Sequence, residues 1–257
     1  MSIPVISTAI VNDPYWLYRL IASIDYPVDN LVIINNNGRG EIDEELDNMK
    51  KMTHKFIKKI TVTHMPANIG LAASWNLTIK CYMNAPYWIF CNHDISFSSG
   101  LLEEMVETAN KHLDVGIIFG KPGDTGDGSY DLFLIRDWSI QYRGLFDENL
   151  YPAYCEDLDY AIRLKIYPLK AIYKLSKPYY HGLSTDYYKT GENTKKSDPS
   201  LSEKLKYVNS LNLNYIDRKW GYDWETNPYQ TPFNDPRMQL TTYSFDIYFM
   251  RQKYLGF

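Results

Sequence analysis

Val5-Ile6-Ser7-Thr8-Ala9-Ile10-Val11-Asn12-Asp13-Pro14 decides the fold. Residues 5–11 are mostly apolar and rich in β-branched side chains, which predicts a strand. The run stops at an Asp-Pro pair, so a helix is expected next, with Asp13 as its cap and Pro14 in its first position. Leu17, Leu20, Ile21 and Ile24 follow at helical spacing on one face. A strand that turns sharply into an amphipathic helix is the repeating unit of an α/β sheet.

The same alternation runs through the first half of the chain. Strands are expected at 31–34, 60–62, 87–91 and 115–119, and helices at 42–49, at 72–83 and from a cap near Ser99, with Glu103 and Glu104 in the first turns of the last. Residues 121–128 are too rich in Gly, Asp and Pro for a core and read as a loop. Further on, strands at 132–135 and 171–175 frame an acidic helix, 184–199 reads as a polar, basic loop, and a helix is expected over 201–219. The fold class is therefore α/β, with a largely parallel sheet flanked by helices and a helical or irregular C-terminal extension.

Composition narrows the function classes. With 257 residues, 45% hydrophobic and 23% charged, the chain can bury one large core with an appendage. A net charge of −4 and a pI near 5.8 give no general attraction for nucleic acid. Cys81, Cys91 and Cys155 are odd in number, widely spaced and set in segments that read as buried, the pattern of reduced thiols. The first residues lack a basic stretch followed by a long apolar one, and no segment approaches the roughly 20 apolar residues of a membrane span. A soluble, cytoplasmic protein is expected. Asn76-Leu77-Thr78 matches a glycosylation sequon, but it falls inside a predicted helix and is read as accidental.

In an open α/β sheet, ligands bind beyond the carboxyl ends of the strands. Four such ends carry polar residues: Thr8 to Asn12, Asn35-Asn36-Asn37-Gly38, Pro66-Ala67-Asn68-Ile69-Gly70, and Asn92-His93-Asp94. Each alone is also an ordinary turn. A second concentration is Tyr154-Cys155-Glu156-Asp157-Leu158-Asp159-Tyr160-Ala161-Ile162-Arg163-Leu164, where three carboxylates crowd a helix start. Acids there complement the helix dipole, by about 0.3–1 kcal/mol each, and they also suit proton transfer. Asp159 stands four residues before Arg163, a spacing worth about 0.2–0.5 kcal/mol on a helix surface.

Taken in order, these motifs resemble the family 2 glycosyltransferases of GT-A fold, of the non-processive bacterial and viral type. Asn68-Ile69-Gly70-Leu71-Ala72-Ala73-Ser74-Trp75-Asn76 is close to the family's Asn-x-Gly-x-Ala-x-x-x-Asn helix start. Gly144-Leu145-Phe146-Asp147-Glu148, then Glu156-Asp157, then a late His181 resemble its acceptor half. Two positions depart: Asn35 and Asn92 are amides where the family carries acids. The string from Asp217 to Gly221, with Glu225 and Pro232-Phe233-Asn234, resembles the C-terminal section of a subset of relatives, and it extends the likeness over nearly the whole chain.

The resemblance implies a GT-A domain over 1–183, with a nucleotide-sugar half at 1–120, an acceptor half at 121–183, and an extension at 184–257 packed on the same domain. It implies nucleotide-sugar contacts from Thr8, Ala9, Val11, Asn35, Asn37, Asn68, Gly70, Asn76 and Asn92. Asp94 and His181 are the implied ligands of Mn²⁺ or Mg²⁺, with Asn92 more suited to ribose or a water than to strong ligation. Asp157 is the implied base of an inverting transfer, with Glu156 as its runner-up. Two opposed influences act on Asp157: the helix N-terminus lowers its pKa, and the neighbouring acids raise it. Trp75, Trp138, Tyr142 and Tyr154 are candidates for stacking on sugars. Lys219 or Arg218 is a candidate phosphate contact, against the alternative of a tail helix whose basic end and Trp220 anchor it to the core.

The function implied is transfer of a single sugar from a nucleoside diphosphate sugar, UDP in the first instance, to a glycan or glycoconjugate acceptor. Two alternatives stand beside it. One is a GT-A-like nucleotide- or glycan-binding module without turnover, favoured by Asn35 and Asn92. The other is a nucleotidyltransferase, disfavoured because no Gly-rich basic loop follows the first strand.

Overall fold

The computed structural model describes residues 2–123, 129–166, 170–173, 175–182 and 199–234. The loop expected at 184–199 lies outside the described residues except for Pro199, as does the 124–128 part of the loop before it. In chain order the elements are β1 (Ile3–Ile10), α1 (Tyr15–Ala22), β2 (Val28–Asn35), α2 (Asp43–Lys50), β3 (Ile60–His64), α3 (Leu71–Cys81), β4 (Tyr87–Cys91) and β5 (Ile95–Phe97). There follow α4 (Leu101–Lys111), β6 (Val115–Phe119), β7 (Lys121–Pro122), β8 (Leu132–Arg136), α5 (Asp137–Arg143), α6 (Glu156–Ile166), β9 (Lys170–Ile172), β10 (Pro178–His181) and α7 (Pro199–Trp220).

These elements form two compact units. One comprises Met1–Asn68, Ala85–Ile135 and Lys170–Pro199, and the other Ile69–Asn84, Arg136–Leu169 and Ser200–Phe257. The first unit is built on a seven-stranded sheet of order β3-β2-β1-β4-β8-β6-β9. Strands β1 to β4 pair in parallel, whereas β6 and β8 are antiparallel, so the sheet is mixed. Every residue of β4, β6 and β8 is buried, which is why these strands read as apolar runs with no alternation, up to the terminal Arg136 of β8. The core of this unit includes Ile6, Leu17, Leu20, Leu31, Ile89, Met105 and Ile118. A second sheet of order β5-β10-β7 was not expected from the sequence. Its strands have two to four residues, too few to display a period.

Two expected caps are corrected. Helix α1 starts at Tyr15 with Pro14 flanking it, and no side chain caps it. Asp13 adopts φ 54° and accepts the Trp16 indole N–H at 2.9 Å. The helix after Ser99 starts beyond Gly100, at φ 75°, because Ser99 Oγ and the Gly100 N–H both donate to Asp25, at 3.1 and 2.8 Å. Glu104 turns away from its own helix and accepts the Ser176 and Lys177 N–H groups. Cys81, expected in a buried segment, is exposed at the end of α3, whereas Cys91 and Cys155 are buried.

The second unit is helical. Trp75 of α3 packs edge-on against Phe146 at 4.7 Å, and Phe146 stacks on Tyr160 of α6 at 4.6 Å. Trp75 is 3% exposed and serves this core instead of offering a face to sugar. Leu150, Cys155 and Ile162 meet Ile216 and Trp220 of α7 in a second apolar cluster. Among the described residues, no helix is long and apolar enough to cross a membrane.

Candidate functional site

Parallel pairing brings the strand ends of the first unit to one edge. Ile10, Asn35 and His64 share a register across β1, β2 and β3, and β4 runs beside β1. Thr8 is buried within β1, while Ala9 and Val11 are half-buried near its end. The loops beyond are tied together by the amides that replace acids. Asn35, 1% exposed, donates to Asp43 at 2.6 Å, lies 3.0 Å from His64 Nδ1, and accepts the Asn37 N–H at 2.9 Å. Asn37 donates to the Val11 carbonyl at 2.9 Å and accepts N–H groups from Arg39 and Glu41. Gly38, at φ 65°, passes so close to Ala67 that an added Cβ would stand 2.8 Å from its Cα. Asn68 is half-buried at the end of this unit.

The small sheet explains how Asp94 meets His181. His181 of β10 pairs with Ile95 of β5, so the residue before Ile95 faces the residue after His181, and the Gly182 N–H donates to the Asp94 carbonyl at 2.7 Å. The side chains then meet, with His181 Nε2 2.9 Å from Asp94 Oδ1 and both groups buried. Burial works against the Asp94 carboxylate, but its bond to His181 and the charges of His93 and His181 hold it below the usual carboxylate range. Burial likewise disfavours charge on His181, but the bond and charge of Asp94, then Asp131, outweigh it and raise the imidazole. Arg19 donates to the Gly182 carbonyl at 2.9 Å and fixes the end of β10 to α1.

His93 is 8% exposed, its Nε2 meets no hydrogen-bond partner among the described residues, and burial lowers its pKa against the opposing charges of Asp94 and Asp13. Burial also pushes the Cys91 thiol well up, which makes it inert. Asn92 donates from Nδ2 to Asp131 Oδ1 at 2.9 Å, and its own N–H reaches the Asp131 carbonyl at 2.8 Å. Sequence reasoning missed Asp131, because an acid in a Ser-Tyr-Asp turn ahead of a strand carries no signal beyond that of a turn.

Among the described residues, no group of three or more His, Cys, Asp or Glu side chains is arranged to hold a metal. Asp94 and His181 are nevertheless a carboxylate and an imidazole that could hold Mn²⁺ or Mg²⁺ in place of the hydrogen bond between them, with phosphate and water completing the shell.

In the second unit, Gly70 and the acidic helix are linked by a close approach. Gly70 adopts φ 87°, and an added Cβ would stand 3.0 Å from the Tyr151 ring and 3.1 Å from the Pro152 carbonyl oxygen. That oxygen accepts the Leu71 N–H at 2.8 Å, so the start of α3 holds the segment that leads into α6. Tyr154 and Cys155 both have left-handed backbones, φ 74° and 72°. Asn212 of α7 secures this turn by donating to the Ala153 and Tyr154 carbonyls at 3.1 and 2.9 Å. Asn76 is buried; it donates to the Phe146 carbonyl and to Glu148, each at 2.8 Å, and accepts the Phe146 N–H at 2.9 Å.

The turn delivers two adjacent carboxylates into opposite environments. Glu156 is 4% exposed and its Oε2 has no hydrogen-bond partner among the described residues. Burial, then the Asp157 charge, push it up to about 8 against the pull of its own backbone N–H. Asp157 is exposed and accepts the Leu158 N–H at 2.7 Å. Cys155 is pushed up to about 12 by burial and by both acids.

Asp159 lies at the centre of a buried ionic cluster. It contacts Arg163 at 2.8 Å, Lys219 at 2.7 Å and the Trp220 indole N–H at 2.8 Å. Lys219 also reaches Asp147 at 2.5 Å; Tyr215 donates to the same carboxylate, and Arg163 donates to the Arg143 and Leu145 carbonyls. Burial opposes the Asp147 charge, but Lys219, the Asn149 N–H and Tyr215 lower it to about 2. Lys219 is thus an internal anchor, fully buried, and not an exposed phosphate contact; with Trp220 it fixes α7 to α6.

Comparisons with known proteins agree with this architecture. A galactofuranosyl glycosyltransferase of Leishmania donovani is 24% identical, over 63% of this chain and 52% of its own length, so the chain spans about half of that relative. The solved mannosyltransferase PcManGT of Pyrobaculum calidifontis, in complex with GDP-Man and Mn²⁺, superposes with a TM-score of 0.55 at 13% identity, over 72% of this chain and 58% of that one. GalNAc-T7 with UDP, GalNAc and Mn²⁺ gives 0.66 at 11% identity, over the whole of this chain and 57% of that one. These likenesses establish the GT-A fold. Residues 11–161 match the profile of glycosyl transferase family 2, from the strand-end loop of β1 to the acidic helix, and the chain belongs to that family.

Proposed function

We propose that the protein transfers a single sugar from a nucleoside diphosphate sugar to a glycan or glycoconjugate hydroxyl, with inversion and with a divalent cation. The contact between Asp94 and His181 carries this reading, because the fold spends a separate sheet on joining two oxygen- and nitrogen-donor side chains at the carboxyl edge of a parallel sheet. The two would hold Mn²⁺, favoured over Mg²⁺ by the imidazole, and the cation would neutralise the departing diphosphate. Two of the solved likenesses carry Mn²⁺ with a nucleotide or nucleotide sugar, which supports the assignment. UDP is the proposed nucleotide.

Nucleoside contacts are assigned to the strand-end edge: the β1 end at Thr8, Ala9 and Val11, the Asn35 and Asn37 loop, Asn68, and Asn92. Gly70 and Asn76 enter by shaping the start of α3 and its partner loop. Asp157 is the proposed base that takes the acceptor hydroxyl's proton, since it is the exposed member of its pair. Glu156, buried and protonated at neutral pH, is the less suited of the two. Incubation with UDP-sugars, Mn²⁺ and an acceptor glycan array, read by release of UDP, tests the reading. Acceptor-dependent release supports it, while nucleotide binding without release in any combination moves the assignment to a binding module.

A further inference from the structure

Asp131 is an acid outside the expected motifs whose bonds reach the segments that carry both Asp94 and His181. On one side it holds Asn92 through the amide Nδ2 at 2.9 Å and the backbone N–H at 2.8 Å. On the other, its Oδ2 accepts the hydroxyl of Tyr179 at 3.1 Å, two residues before His181 on β10, and Ser129 Oγ donates to the same oxygen at 2.7 Å. A carboxylate can only accept, so the Asn92 amide must present its nitrogen to Asp131 and turn its oxygen away. That oxygen is then free to accept a hydrogen bond from a water on the cation, and a charged partner behind an amide increases the electron density on it.

We propose that Asp131 is a positioning residue for the divalent cation: it orients and polarises Asn92 and supplies from the turn before β8 the negative charge that the amide at position 92 does not. The inference rests on the transferase reading above. It accounts for a motif with one carboxylate where two are expected, because the second charge is present one hydrogen bond away. Asp131 is not a ligand in this scheme, consistent with the absence of a three-residue metal group among the described residues.

The test is Mn²⁺ binding in the presence of UDP, followed by the electron paramagnetic resonance signal of free Mn²⁺. Asp131→Asn should weaken the affinity by about 10- to 100-fold, the range for a group behind a metal ligand. Adding Asn92→Asp to that variant should restore it to within a few-fold with the melting temperatures of both variants near that of the wild type, whereas a purely structural role would lose and regain affinity and melting temperature together. Tyr179→Phe keeps the ring and removes one bond to Asp131, so it should show a smaller loss in the same direction, and it decides the question if Asp131→Asn does not fold. Wild-type affinity in folded Asp131→Asn, a loss that Asn92→Asp leaves unrepaired, or wild-type affinity in Tyr179→Phe where only that variant folds overturns the proposal alone. No Mn²⁺ uptake by the wild-type protein with UDP overturns the transferase reading and this inference with it.

Discussion

Glu156 and Asp157 are consecutive in the chain and opposite in state: the first is buried and pushed up to about 8, the second is exposed at the start of the same helix. Only the exposed carboxylate is placed to exchange a proton with a hydroxyl at neutral pH. Asp157→Asn should lower transfer by about 10²- to 10⁴-fold, the usual contribution of a general base, while nucleotide affinity stays. Glu156→Gln, which copies a neutral acid, should keep activity within about tenfold. A collapse of activity in Glu156→Gln with Asp157→Asn still active would reverse the two roles.

The same pair makes stability depend on pH. Glu156 titrates near 4.5 when unfolded and near 8 when folded, so between those values the folded state binds the extra proton. Stability therefore falls as pH rises from about 4.5 to 8, by an amount on the order of a few kcal/mol, and levels off above. Glu156→Gln removes this slope. Its melting temperature should exceed that of the wild type at pH 8 and approach it near pH 5, and a constant difference across that range would contradict the assignment.

Lys219 neutralises Asp147 and Asp159 with no exposure to water. Replacing it with Met leaves two carboxylates buried beside an apolar chain, a change that costs about 3–5 kcal/mol. Chemical denaturation should find Lys219→Met destabilised by that amount. Lys165, exposed on α6, the helix that carries Asp159, gives the control, with an alanine variant within about 0.5 kcal/mol of wild type.

Gly70 holds a backbone that side chains rarely adopt and has the Pro152 carbonyl against it. Gly70→Ala should cost about 1–3 kcal/mol. Because Pro152 leads into the left-handed turn before Glu156, the variant should also lose transfer activity under conditions where it remains folded. Unaltered stability and activity would remove Gly70 from the architecture of α6.

The strands of the main sheet were legible because burial on both faces leaves runs such as 87–91 and 115–119 without a polar residue, apart from a terminal Cys or an internal Gly. The strand-end residues were legible for a related reason, since parallel pairing puts every β-to-α turn at one edge. The small sheet was not, and with it the geometry joining Asp94 to His181, because three- and four-residue strands pair through contacts distant in sequence. Lys219 and Glu156 illustrate a second limit. Charge in a sequence suggests a solvated face, and nothing local distinguishes the lysine that fills a pocket between two aspartates or the glutamate that turns inward while its neighbour turns out. Asn92 reads as the loss of a carboxylate until Asp131 is seen beside it.

The most direct measurement is calorimetric titration of UDP and UDP-sugars into the protein with and without Mn²⁺, using wild type and Asp94→Ala. Binding that requires Mn²⁺, weakens as pH falls and His181 takes up a proton, and drops at least tenfold in Asp94→Ala is the predicted result. Folded protein that binds no nucleotide in the presence or absence of Mn²⁺ would contradict the account.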